Sequence, residues 1–463
     1  MANNQNNKSK EQSAGDALFE DVLTALFHAL FYLLKWAVLF PAISAPVILS
    51  LVVDFEYGVQ FGAVTAWVLL CAYTAWGVLH PVSFRSLIWW PVVVRYRKWS
   101  RYERRWAVVT EMSGLTAKLD GKMIVPKLRR IAIAKTVDTL TVGLLAGQSV
   151  ADWQRQSDAL GHTFGASRLL IRSTRPGEIL IQVHRADLLA KPVPVPAPQQ
   201  TPDLAVLPVG VTESGKPWTV SVLGRHVLVA GATGAGKGSV LWSVLVGASP
   251  AIWEGLAQVW VIDPKGGMEF GAGEAMFARF AHDNAEGALA LLRDAARTMV
   301  ERAGRMRGRS RQHVPTKDEP LILLLVDELA SLTAYQTDRK VKTEMEQLLG
   351  LVLTQGRAVG VVVLAAAQDP SKDTLAMRQL FPTRIALRLS EPTQAAMVLG
   401  QSARDRGAMA DLIPESTPGV GYVQEEERAE PVRVRAFHVS DAMIDRLARA
   451  FATKNAKRKA GGR

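Results

Sequence analysis

An α/β fold, a parallel sheet with helices on both faces, is predicted for the C-terminal half of this 463-residue chain by three observations. The nine residues GATGAGKGS at 231–239 follow an apolar strand, HVLVA at 226–230, and open a helix that begins VLWSVLV. A second apolar run, LILLLVDELA at 321–330, is too continuous for a half-exposed strand and ends in two adjacent acids. A third, VVVLAAAQDP at 361–370, has the same buried character and ends in Gln368.

From the N-terminus, residues 1–17 are polar and read as a tail. Residues 18–106 read as a membrane anchor. Two apolar stretches within it, 36–53 and 59–79, each approach the ~20 residues needed to cross a bilayer, so a two-helix transmembrane segment is expected. The segments 23–35 and 83–94 are too short or too charged to span and suit the membrane interface. The connection DFEYG carries two acids and no base, whereas RYRKWSRYERRW at 95–106 is densely basic. By the positive-inside rule the chain would be multi-pass in the cell membrane with both termini cytoplasmic. Signal-peptide cleavage is not indicated.

Residues 107–190 alternate strand-like runs with one helical stretch, 149–164, and read as a small α/β domain without a catalytic constellation. KPVPVPAPQQTPD at 191–203 reads as a semi-rigid linker. Residues 441–463 read as a short helix with a disordered basic tail from 454. The net charge of +12 favours nucleic acid or anionic lipid as partner. The single cysteine, Cys71, excludes an internal disulfide, and the scattered histidines exclude a zinc cluster; His226 is read as a strand-end residue.

The chemistry follows from the three landmarks. Gly231, Ala232, Thr233, Gly234, Ala235, Gly236, Lys237, Gly238 and Ser239 form a phosphate-binding loop, whose N–H groups cradle an anion while Lys237 reaches the β- and γ-phosphates. The expected ligand is a nucleoside triphosphate, ATP, with Mg²⁺. Gly238 departs from the pattern, which asks for a hydroxyl there to ligate Mg²⁺. Ser239 is the next hydroxyl, about 100° further round the helix, and ligates only if the loop end is remodelled. Asp327 is expected to hold Mg²⁺ through water, and Glu328 to polarise the attacking water. Gln368 either contacts the γ-phosphate or attacking water, or simply caps its strand. In VWVIDPKGGMEF at 259–270, turn chemistry accounts for Pro264, Gly266 and Gly267 without any function. The arginines between 293 and 311 form either a solvated helix face or a phosphate-contacting surface; Arg302, Arg305, Arg307 and Arg309 are the DNA-binding candidates.

The order GATGAGKG, VIDPKGGMEF, MVERAGRMRG, LLLVDELA, QGRAVGVVVLAAAQDP, PTRIALRLSEPTQAAMVLG and PGVGYV resembles the motor domain of the FtsK/SpoIIIE family of DNA translocases, over about residues 204–440. The resemblance implies a RecA-like P-loop ATPase motor that assembles as a homohexameric ring around double-stranded DNA. It also implies an arginine supplied by the neighbouring subunit; Arg357 matches a candidate position and Arg384 is a second. The family's chromosome-segregation members usually carry a C-terminal winged helix, for which the residues after 440 are too few. The plan resembles instead the family's actinomycete plasmid-transfer branch, which implies DNA transfer between cells and partner conjugation or division proteins. Three alternatives stand beside it: a division or sporulation translocase, a type VII-like protein secretion ATPase, and a membrane DNA-binding scaffold that does not hydrolyse nucleotide.

Overall fold

In the computed structural model, residues 37–198, 203–371 and 376–461 are described, with side chains of 458–461 left aside. The expected N-terminal tail, the interfacial segment 23–35 and part of the Pro-rich segment lie outside them. By its internal contacts the chain divides into two units, Met1–Ala186 and Asp187–Arg463.

The first unit begins with an antiparallel helical hairpin, α1 (Pro41–Tyr57) and α2 (Val59–Leu79). Pro41 suits the first turn of α1, where its missing N–H is no loss. Gly58, at φ +99°, ends it. Gly62 lets the helices approach at the turn, since an added Cβ would lie 2.5 Å from Asp54 Cβ. Further along, Tyr73 donates to the Ala42 carbonyl at 2.9 Å. The hairpin's outward face is apolar and exposed, including Val47, Leu51, Phe61, Trp67 and Leu70, and Cys71 is exposed on α2.

Among the described residues, one helix, Val59–Leu79, is long and apolar enough to cross a membrane. The expected pair of spans is therefore corrected. Phe40 leaves helical geometry at φ −127°, ψ 60°, and Pro41 starts a new helix, so the apolar run 36–53 is cut at its beginning. The resulting 17 residues cover about 25 Å, short of a ~30 Å hydrocarbon core.

Helical segments continue from Pro81 through Glu103, and α3 (Trp106–Met112) follows. The basic–aromatic segment 95–106 is built into the small domain rather than left free beside a membrane. Tyr102, fully buried, donates to Asp138 at 2.8 Å; Arg97 donates to the same carboxylate at 3.3 Å, and Trp106 donates to the Pro126 carbonyl at 2.7 Å. The domain's antiparallel sheet comprises β1 (Leu128–Ala132), β2 (Val137–Gly143), β3 (Arg168–Arg175) and β4 (Glu178–His184), in the order β1-β2-β4-β3. Helices α4 (Val150–Arg155) and α5 (Ser157–Phe164) connect β2 to β3. Ser149 and Asp152 form a capping box that starts α4. The core packs Trp106 against Trp153 and Phe164 over Leu140, Ile179 and Ile181.

The second unit is one mixed sheet. Its strands are β5 (Leu207–Thr212), β6 (Pro217–Val220), β7 (Val227–Ala230), β8 (Ala257–Ile262), β9 (Arg279–Ala281), β10 (Leu321–Val326), β11 (Val361–Ala367), β12 (Thr383–Leu387), β13 (Val420–Glu425) and β14 (Val432–His438). They run in the order β9-β8-β10-β11-β7-β12-β13-β14-β5-β6. The six from β9 to β12 are parallel, and the rest extend the sheet antiparallel. Both faces are covered. On one lie α7 (Glu286–Met306), α8 (Arg339–Gln355) and α9 (Pro392–Leu399); on the other lie α6 (Lys237–Glu254) and α10 (Asp441–Gly461). That burial explains why β7, β10 and β11 read as unbroken apolar runs.

Two further expectations change here. The Pro-rich segment is anchored where described: Val193–Pro194 pairs with Phe437–His438, and just ahead of the segment Asp187 makes a two-armed ion pair with Arg433 at 2.9 Å. The basic tail continues α10 to Gly461 instead of fraying from 454: Asn455 donates to the Ala275 carbonyl at 3.0 Å and Lys454 lies over the Trp253 ring. His226, at the start of β7, is fully buried. Its Nε2–H donates to the Leu353 carbonyl at 3.1 Å, and Nδ1 accepts from Val363 N at 2.9 Å. Burial, with Arg357 nearby, pushes its pKa down to about 4.

Candidate nucleotide-hydrolysis site

Four neighbouring parallel strands, β10, β11, β7 and β12, deliver their C-terminal ends side by side. Those ends carry Asp327 and Glu328, then Gln368, then the loop 231–236, then Arg388. Such a row at the carboxyl edge of a parallel sheet is where α/β folds bind ligands.

The loop is held from both flanks. Gly231 N donates to the Ala367 carbonyl at 3.1 Å, and Ala232 N to the Arg388 carbonyl at 2.9 Å. Gly236 turns at φ +95° with Gly419 directly behind it: an added Cβ would sit 2.9 Å from Gly419 Cα. Only glycine fits there. Helix α6 starts at Lys237, so the loop's amides and the helix N-terminus form the anion-binding end. Lys237 Nζ donates to the Gly231 carbonyl at 2.8 Å and the Ala232 carbonyl at 3.3 Å. Burial lowers its pKa, and Glu328 opposes that shift.

Asp327 and Glu328 are buried, at 6% and 4% exposure, although both are acids. Burial raises the pKa of each; Lys265 works against it at both. Lys265 Nζ lies 3.3 Å from Asp327 and 3.8 Å from Glu328. Glu328 also accepts from Gln368 N at 3.2 Å through both carboxylate oxygens, so the second and third landmarks are bonded to each other. The Gln368 side chain is not a bare strand cap: Nε2 donates to Thr233 Oγ1 at 2.6 Å. Arg388 donates to the Thr233 carbonyl at 2.9 Å and pairs with Glu415 at 3.1 Å.

Thus Lys237, Asp327, Glu328, Gln368 and the loop glycines are brought together. Other expected residues are not. Arg302 is 3% exposed and gives its guanidinium to the carbonyls of Val359, Gly360 and Pro320, at 3.2, 3.1 and 2.7 Å. Its assignment to DNA contact is corrected: it is a clamp between α7 and the starts of β10 and β11. Arg305 is exposed and pairs with Glu319 at 2.6 Å; Arg307 and Arg309 are exposed at the end of α7. Arg357 precedes β11 and Arg384 is the second residue of β12. Arg357 therefore lies at the far end of the sheet from its own chain's phosphate loop, about 20 Å away along a seven-residue strand, whereas Arg384 pairs in register with Leu228, about 10 Å before the loop's first glycine.

Four site residues were not read from the sequence: Asp263, Lys265, Glu269 and Arg388. The first three sit in the segment 263–270, where turn chemistry alone explained the glycines; the overlooked signal was three charges following a buried strand. Asp263, fully buried, accepts from Glu269 N and Phe270 N at 3.0 Å each. Glu269 lies against Gly238, and burial, then Asp327, raise its pKa. Among the described residues no group of three or more His, Cys, Asp or Glu is arranged to hold a metal alone. A divalent cation here needs phosphate oxygens too, as Mg²⁺ commonly does. The carboxylate that fills the side-chain space at Gly238 fits such an ion beside bound phosphates.

Residues 199–412 match the FtsK/SpoIIIE family, and residues 74–185 match the actinomycete conjugal transfer protein N-terminal domain. Transfer protein TraSA of Streptomyces ambofaciens is 28% identical over 337 residues, covering 68% of this chain and 79% of that protein. DNA translocase SftA of Bacillus subtilis (strain 168) is 26% identical over 265 residues, covering 52% of this chain but 25% of that protein. Among solved structures, the pCW3 conjugation coupling protein TcpA, in monomer form with ATPγS, superposes with a TM-score of 0.51 at 20% identity; the match covers 75% of this chain and 98% of that one. At that identity the likeness is one of fold.

Proposed function

We infer that this chain, which joins an FtsK/SpoIIIE family domain to an actinomycete conjugal transfer N-terminal domain, is an ATP-driven double-stranded DNA translocase serving plasmid or mobile-element transfer. The observation that carries the reading is the convergence of Lys237, Asp327, Glu328 and Gln368 on one sheet edge, with Gln368 bonded to Glu328 on one side and to Thr233 of the phosphate loop on the other. A decayed site gives no reason to keep two buried acids adjacent to a half-buried lysine, because each costs desolvation. The N-terminal match favours transfer over division or secretion.

In this reading the loop amides and Lys237 bind the β- and γ-phosphates of ATP, and Lys237 exchanges its loop carbonyls for phosphate oxygens. Glu328, held by Gln368 N and Ala330 N, orients and polarises the attacking water. Gln368 links that carboxylate to Thr233 at the loop tip, so loss of the γ-phosphate is felt on β11. Mg²⁺, when bound, neutralises charge on the phosphate oxygens. Arg357, remote from its own site, serves in this reading the site of a neighbour in a homohexameric ring. Helix α2 anchors the assembly to the cell membrane.

The test is ATP turnover by the full chain in detergent micelles, with no DNA, with linear duplex and with single strands at fixed salt. Strong stimulation by duplex alone is expected. Turnover indifferent to every nucleic acid would overturn the translocase reading.

A further inference from the structure

The phosphate-loop helix begins Lys237-Gly238, where the motif calls for a hydroxyl. Nothing in the backbone demands glycine at 238: it lies inside α6 and its φ is not positive. What fills the side-chain space there is the end of a neighbouring side chain. A Cβ built on Gly238 overlaps Glu269 Oε1 and lies 3.0 Å from Glu269 Cδ and 3.6 Å from Oε2. The Glu269 carboxylate therefore occupies the space in which a serine or threonine side chain would start.

The backbone that carries this exposed side chain is held in place from behind. Glu269 N and Phe270 N donate to the same oxygen of fully buried Asp263, at 3.0 Å. Phe270, itself fully buried, stacks on Trp242 of α6 with ring centroids 5.2 Å apart, so the segment that carries Glu269 is fastened to the helix that carries Gly238. Among the described residues the Glu269 carboxylate enters no ion pair.

We propose that Glu269 supplies, from the segment after β8, the oxygen ligand for nucleotide-bound Mg²⁺ that position 238 lacks. The assignment rests on the reading of this site as an ATP site. It puts the ligand on Glu269 and not on Ser239, whose place one step further round α6 points away from the gap at 238. It also suits the ion, which is commonly held by one or two carboxylates together with substrate phosphates. Glycine at 238 and glutamate at 269 are then two halves of one exchange: the hydroxyl is removed and a carboxylate enters its volume.

The test reads nucleotide binding and metal loading, not turnover. The full chain in detergent micelles is titrated with a fluorescent ATP analogue, in excess Mg²⁺ and in EDTA, and Mn²⁺ bound with ATPγS is read by electron paramagnetic resonance. Glu269→Ala should lower the metal's affinity for the nucleotide complex at least about tenfold, while affinity in EDTA stays at the wild-type value. The double variant Gly238→Ser with Glu269→Ala should regain metal dependence, because the clash is gone and the hydroxyl is back. Unaltered Mg²⁺ dependence in Glu269→Ala, or its loss in Ser239→Ala alone, overturns the assignment and leaves the ATP site standing. Failure of the wild type to bind the analogue under either condition overturns both.

Discussion

Acidification should destabilise the second unit through one side chain, His226. Its ring is sealed between the end of α8 and β11, with one nitrogen donating to Leu353 and the other accepting from Val363 N. Protonation turns the accepting nitrogen into a donor facing a donor, in a place from which water is excluded. The folded-state pKa is about 4 against an ordinary 6.5. The folded value is depressed, so the unfolded chain binds the proton first as pH falls. The stability is complete above about pH 6.5 and is lost progressively down to about pH 4. The full difference corresponds to about 3 kcal/mol, of which about 2 kcal/mol is spent by about pH 5. Urea unfolding followed by tryptophan fluorescence measures it, since Trp242 and Trp260 are buried in this unit. The quantity to compare is the stability lost between about pH 7 and about pH 5 in wild type and in His226→Gln, which retains polar groups but does not titrate. Wild type should lose about 2 kcal/mol more. Equal losses would refute the argument, because every other titrating group is common to both proteins.

Glu328→Gln should cut ATP turnover by about 10²- to 10⁴-fold while leaving nucleotide binding intact. Because burial raises the Glu328 pKa and the base acts deprotonated, wild-type turnover should fall on acidification with an inflection above the usual carboxylate range; this limb is read from a pH–rate profile. Arg302→Ala should cost about 3 kcal/mol in urea unfolding, by leaving three carbonyls without their charged donor, and should not change the salt dependence of DNA binding. Arg307→Gln with Arg309→Gln should do the reverse: stability holds, and the slope of log affinity against log salt falls by about 0.9 for each phosphate contact removed.

The sheet strands around the site were legible because burial on both faces leaves an apolar run with little alternation, and β7, β10 and β11 each end such a run at a residue with chemistry. The phosphate loop was legible for a different reason: its glycines answer local backbone demands at Gly234 and Gly236, both at positive φ. What escaped was determined across space. Glu269 and Gly238 are 31 positions apart in sequence, and the packing of Phe270 on Trp242, with the bonds of Asp263 to the same segment, brings them into contact. Arg302 misled because an arginine on a basic helix looks the same whether it faces water or three carbonyls. The first apolar stretch misled because hydropathy is blind to where a helix starts, and Phe40 and Pro41 set that start.

Cys71 gives the protein a property of practical use. It is the sole thiol in the sequence, and it sits exposed on α2. The unaltered protein can thus be tagged at a single known point on the helix proposed to enter the bilayer, with the whole ATPase unit left free of label. A maleimide dye sensitive to polarity would report the depth of that helix directly. Replacing this one residue by serine would give a thiol-free background, in which cysteine pairs placed near Arg357 and near the phosphate loop could trap neighbouring subunits as a covalent ring.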